Sequence, residues 1–173
     1  MNAETHELSQ LLLPELQAEL GKTRRALERV PESHKDFRPH EKSRSLIELT
    51  NHLATVSGLA GSVLAFPGAE LGGPNDPRRI VKEQTLSPIL EQFDELAAKS
   101  ISQLKETSDQ AFAEPWQASQ QGKMLFSGTR YMAYRNIALN HMIHHRAQLG
   151  SYFRLLGVPV PSTFGPSADE APR

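Results

Sequence analysis

Asn140-His141-Met142-Ile143-His144-His145-Arg146-Ala147-Gln148-Leu149 sets two imidazoles one helical turn apart among apolar residues. An α-helix advances about 100° and ~1.5 Å per residue, so His141 and His145 project within about 40° of each other, roughly 6 Å apart along the axis. Both can reach one ion. On the same helical net Tyr131, Tyr134, Ala138, Met142, Leu149, Tyr152, Phe153 and Leu156 gather into one stripe, with Asn136, Asn140, Ala147, Ser151 and Arg154 opposite. The stretch from about 129 to 156 therefore predicts one amphipathic helix. His145 falls near the middle of its apolar stripe, His141 about 60° toward one flank and His144 roughly twice as far out. That assigns His144 to the rim. Spacing alone leaves a second possibility open, that the inward histidines are hydrogen-bonded core residues.

A third imidazole comes from Ser45-Leu46-Ile47-Glu48-Leu49-Thr50-Asn51-His52-Leu53-Ala54-Thr55-Val56. Leu46, Leu49, Leu53, Val56, Ala60 and Val63 share one face, and His52 borders it at the same offset of about 60° as His141. Two such helices face to face can aim three imidazoles at one point inside a bundle. His6, His34 and His40 have no comparable setting. Ser45 and Glu48 form a candidate capping box at the helix start. Glu48 also lies one turn before His52, which makes it a candidate general base or a group that orients a ligand.

Outward from these two helices, Leu8, Leu12, Leu16, Leu20, Leu27 and Val30 predict a first helix over about 5–30, with Pro14 either kinking it or opening its main part. Residues 31–42 read as a connection anchored by Phe37, and a second helix covers about 44–66. The glycines and prolines of 66–85 predict a long crossover without a helix. Ser87-Pro88, with Leu90, Phe93, Ala97, Ile101 and Leu104, predicts a third helix over about 87–107. Residues 109–128 read as a loop that can hold a short irregular strand pair. The proline-rich tail, 157–173, cannot be helical but carries Val158, Val160 and Phe164 as anchors. The expectation is an all-α, four-helix bundle with a long crossover connection, one domain over 1–173.

Composition narrows the function. In 173 residues with 38% hydrophobic content there is no apolar run long enough to span a bilayer, and Met1–Glu7 lacks the features of a secretory leader. A cytoplasmic protein is expected. The lack of cysteine removes thiolate nucleophiles and sulfur-ligated zinc, leaving imidazole and carboxylate as metal donors. Nineteen basic against twenty acidic residues, with no basic block among aromatics, give no electrostatic footprint for nucleic acid. The Lys22-Thr23-Arg24-Arg25 cluster reads as a solvated helix face.

Four stretches together carry a family likeness: Leu27–Glu32, Phe37–Leu53, His141–Leu149 and Gly157–Glu170. Over nearly its full length the chain resembles the DinB/YfiT-like superfamily of small metal-binding four-helix proteins. The resemblance implies that His52, His141 and His145 bind a divalent ion. It also implies a homodimer, and activities that range from thiol-dependent transfer to hydrolysis.

Three neutral imidazoles leave an ion its full charge and an open position, where it activates a water for hydrolysis or a low-molecular-weight thiol for transfer to a small-molecule substrate. All-nitrogen ligation favours zinc or nickel. The competing expectation is a noncatalytic metal-binding or stress-response module. Gln148 and Tyr152 are placed to orient an imidazole or to complete the core. Arg146 points away from the ligand stripe toward an ion pair or subunit contact, and Trp116 is either a loop anchor or part of the site's mouth.

Overall fold

Leu12, Leu16, Leu20 and Leu27 recur at helical spacing, and all four are buried on one side of the first helix, α1 (Glu7–Leu27). The structure, a computed structural model, describes residues 5–73, 76 and 82–171. Helix α1 runs through Pro14 without a break, so the proline sits inside it rather than opening it. Its first turn is capped from far along the chain. The Asp109 carboxylate accepts the amides of Glu7 and Leu8 at 3.2 and 2.9 Å, placing a negative charge at the positive end of the helix.

The expected second helix over 44–66 is two helices, α2 (Leu46–Ser57) and α3 (Leu59–Ala65), joined at Gly58. Both halves of the Ser45–Glu48 capping box are present at the start of α2. The break has a packing cause. A Cβ at Gly58 would lie 2.8 Å from the Leu96 side chain, and one at Gly61 would lie 3.1 Å from the Cα of Ser100, so the glycines let α3 press against α4 (Leu86–Glu106). The Ser100 hydroxyl donates to the Ser57 carbonyl and accepts the Gly61 amide, pairing backbone groups at the joint.

Helix α4 begins at Leu86, before the expected Ser87 cap. The Leu86 amide is accepted by the Glu32 carboxylate, from the 3-10 turn Glu32–His34, so the capping group is distant in sequence.

The all-α expectation needs a small sheet added to it. Residues 66–85, expected to be a connection only, contain β1 (Gly68–Leu71); residues 74–75 and 77–81 of that crossover lie outside the described ones. After a short helix, α5 (Asp109–Ala113), β2 (Pro115–Gln120) turns through Gln121-Gly122 into β3 (Lys123–Thr129). Both turn residues have positive φ, 51° and 75°, as a tight two-residue hairpin turn requires. The pair is irregular where Ala118 gives way to Ser119, and β1 adds to β2 in parallel.

The last helix is α6 (Arg130–Ala133), a π-helical segment (Tyr134–Leu139) and α7 (Asn140–Leu156), ended by Gly157 in the left-handed conformation at φ 70°. Helix α1 packs on α4 and α7, and α2 packs on the same two, so the four long elements close around the buried leucines, Phe93, Tyr134 and Phe153. No helix among the described residues is long and apolar enough to cross a membrane.

The tail folds back: of its three expected anchors Val158 and Val160 pack against the core, while Phe164 is 70% exposed. Asp169 pairs with Arg154, Glu170 with Arg29, and the Phe164 ring lies 4.1 Å from the Lys22 ammonium. Arg146, read as an ion-pair residue, is 4% exposed and reaches the equally buried Glu19 carboxylate at 2.6 Å. Of the Lys22–Arg25 face, Lys22 also pairs with Glu19, while Arg24 meets Asp94 at 2.8 Å near the surface.

Arg130 joins the sheet to the bundle. Its guanidinium donates to the carbonyls of Val63, Leu64 and Phe66 at the end of α3, to Ala111, and to the Glu114 carboxylate, and the residue is 6% exposed. Removing it leaves several buried carbonyls unpaired. Arg130→Met should therefore lower the unfolding free energy by about 2–4 kcal/mol in urea denaturation, whereas Arg154→Met, which breaks an exposed pair, should cost less than about 1 kcal/mol. Equal losses from the two would show that Arg130 does not join sheet to bundle.

Candidate metal centre

His52 on α2 and His141 and His145 on α7 meet where those helices pack. Their ring centroids are 5.4 Å (52–141), 4.3 Å (52–145) and 4.6 Å (141–145) apart. One ligand nitrogen from each lies within 4.8 Å of the others. The Nε2 atoms of His52 and His145 are 2.9 Å apart. Ligands about 2.0–2.1 Å from a tetrahedral ion stand about 3.3 Å from one another, a value the observed spacings bracket. The cluster can hold one metal ion.

Two of the rings are held by their far nitrogens. His145 Nδ1 lies 2.7 Å from Gln148 Oε1, and His141 Nδ1 lies 3.2 Å from the Ile137 carbonyl. Both partners are acceptors, so each Nδ1 carries the proton and each neutral Nε2 presents its lone pair to the cluster. Gln148, one of two residues expected to orient an imidazole, does so. Tyr152 does not: its hydroxyl donates to the Arg44 carbonyl at 2.8 Å and its ring packs edge-on against Phe37.

Burial sets the charge state. His145 is 6% exposed, and loss of solvation pushes its pKa down to about 4, opposed by the hydrogen bond it donates to Gln148 and aided by repulsion from His141, His144 and Arg44. His141 is lowered for the same leading reason, opposed by the Ile137 carbonyl. His144 is exposed, at the rim, its ring 4.9 Å from that of His145.

A cavity of about 540 Å³ opens beside the triad. The imidazoles, Arg44, Ser62 and Asn136 supply its polar lining, and the rest is apolar, including Val63 and Phe66 from α3 and its end, and Trp116 and Phe126 from the sheet. Trp116 combines both expected roles: it is buried, donates its indole N–H to the Phe66 carbonyl at 2.9 Å, and faces the cavity. Strand periodicity explains this, since Trp116 and Ala118 point inward from β2 while Pro115 and Gln117 face solvent.

Glu48 is placed differently from the three histidines. Its carboxylate accepts the Ser45 amide and pairs with Arg38 at 2.9 Å; these contacts hold its pKa below the usual range, and it is not among the cavity's lining residues. Arg44 was not singled out by sequence. It lies just outside the helical pattern that pointed to its neighbours, and no local signal marks it.

The model of the DinB family matches residues 1–172. The DinB-like protein YjoA of Bacillus subtilis is similar in structure, with a TM-score of 0.67 and 17% identity over 90% of this chain and 98% of that one. A DinB-like protein of Bacillus cereus gives a TM-score of 0.66 and 18% identity over 88% and 95%. At such identities the likeness is one of fold. No curated protein matches the sequence.

The lowered imidazole pKa values fix a pH dependence for metal-free protein. The unfolded chain takes up protons near pH 6.5, the folded His145 only near 4, so stability is complete above about 6.5 and falls as the pH drops toward 4. The melting temperature of chelator-treated protein should decline through that window, and His145→Asn should flatten the decline. A melting temperature unchanged between pH 6.5 and 4.5 would contradict the assignment.

Proposed function

We propose that this chain, which belongs to the DinB family, binds one divalent ion through His52, His141 and His145 and is a metal-dependent enzyme acting on a small molecule held in the adjoining cavity. The observation that carries this is the convergence of three ligand nitrogens within 4.8 Å at the wall of a cavity. A site whose protein ligands number three has room for a guest, the arrangement of catalytic rather than closed structural sites. Zinc or nickel suits the all-imidazole donor set best.

The chain's own groups have separable tasks. Gln148 and the Ile137 carbonyl hold two rings in the tautomer that offers Nε2. Burial keeps His141 and His145 neutral near pH 7, so no proton has to leave before they ligate. The apolar walls exclude water from the bound molecule. The capping box, with Glu48 in it, fixes the start of the helix that carries His52. When bound, the ion supplies Lewis acidity that lowers the pKa of a water or a thiol, which makes the reaction a hydrolysis or a thiol-dependent group transfer. In the second case the thiol is a low-molecular-weight cofactor, because the chain has no cysteine.

Protein purified without a histidine tag should contain about one zinc or nickel per chain by elemental analysis. His52→Ala should abolish that content, and Gln148→Ala should weaken metal affinity about 10- to 100-fold. Metal content unchanged in His52→Ala would overturn the site. Turnover in a screen of esters, amides, phosphates and thiol conjugations should appear only with metal. A fully loaded protein that turns over nothing would reduce the role of the ion to tying α2 to α7.

A further inference from the structure

Among the described residues the lining of the cavity contains imidazoles, one guanidinium and neutral groups, and no aspartate or glutamate. Imidazoles that ligate an ion are neutral, so a divalent ion at the triad would bring two positive charges that this lining does not balance, and Arg44 brings a third. A cavity with that balance selects an anion.

Arg44 is built to meet it. Its backbone is fixed on both sides: the carbonyl accepts the Tyr152 hydroxyl, and the next amide, that of Ser45, is held by Glu48. Its side chain, in contrast, makes no hydrogen bond or ion pair with the described residues, while Arg38, Arg130, Arg135, Arg146 and Arg154 all meet carboxylates. Arg44, an exposed residue, lines the same cavity as His52, His141 and His145, so its unmatched guanidinium is available to a molecule bound there.

Beyond this polar end, Val63, Phe66, Trp116 and Phe126 line a space wide enough for a ring or a branched chain. Ser62 and Asn136 add only neutral groups, which leaves Arg44 as the cationic side chain of the described lining. A planar guanidinium fork matches a carboxylate in two parallel hydrogen bonds.

We propose that Arg44 is the carboxylate-binding residue of the cavity and that the ligand is a small monocarboxylic acid with an aromatic or branched apolar body. The ligand class deepens the metal-enzyme reading and rests on it for the second charge, but the role of Arg44 is tested by binding, not turnover.

Trp116, the single tryptophan, lies in the cavity wall and reports occupancy by fluorescence. Zinc-loaded protein is titrated with 3-phenylpropanoate and with its neutral amide, 3-phenylpropanamide. The acid should bind about tenfold or more tighter, in keeping with a charge-assisted pair. Arg44→Gln should bring the two affinities together without changing zinc content or melting temperature, since its side chain has no structural partner to lose. Arg44→Lys, which keeps the charge without the fork, should retain part of the preference. Equal binding of acid and amide, no saturation by either at millimolar concentration, or an Arg44→Gln protein that still prefers the acid would overturn the proposal.

The two readings fail separately. Stoichiometric zinc without acid preference ends the Arg44 assignment and leaves the metal site. Acid preference that depends on Arg44 in protein unable to retain zinc ends the metal site and leaves Arg44.

Discussion

Two imidazole nitrogens 2.9 Å apart, His52 Nε2 and His145 Nε2, are the contact around which the site is arranged. With the His145 Nδ1 proton directed at Gln148 Oε1, the neutral ring presents a lone pair toward His52. Two facing lone pairs repel unless a proton or a cation lies between them, and the half-buried His141 brings a third nitrogen to the same point. Holding them there takes scaffolding. Helix α2 packs on α7, its start is locked by the capping box, and its continuation, α3, is pressed against α4 through two glycines.

Much of that scaffolding works through polar groups brought from far along the chain. Asp109 caps α1, Glu32 caps α4, and Arg130 gathers the carbonyls at the end of α3 while bonding to the segment before the hairpin. Each satisfies orphan backbone groups at a helix end and also ties distant segments together. The buried Arg146–Glu19 pair does the same between α7 and α1. The sheet then lines the space beside α3, so the triad opens onto a largely apolar cavity.

The four long helices and the inward histidines were legible because they depend on local periodicity. His145, at the stripe centre, is buried; His52 and His141, at its flanks, are half-buried; His144 is exposed. The capping box of α2 was equally local. What the sequence concealed was nonlocal. Strand β1 is extended because it pairs in parallel with β2 nearly fifty residues later, and its own Gly-rich composition reads as a loop. The break at Gly58 depends on Leu96 and Ser100 across the interface. Arg44 gains its position from the Tyr152 hydroxyl, a contact spanning more than a hundred residues. Glu48 shows the converse: one turn from His52 in sequence, it is occupied by Ser45 and Arg38 instead of the cavity.

The central claim is a single cation shared by three imidazoles with one position left for a guest. X-ray absorption spectroscopy on zinc-loaded protein measures this directly, through the number and kind of ligands around the metal. The account predicts three imidazole nitrogens at about 2.0–2.1 Å and at least one further light-atom ligand that an added small ligand replaces. A shell of fewer than three imidazoles, or one closed entirely by protein groups, would contradict it.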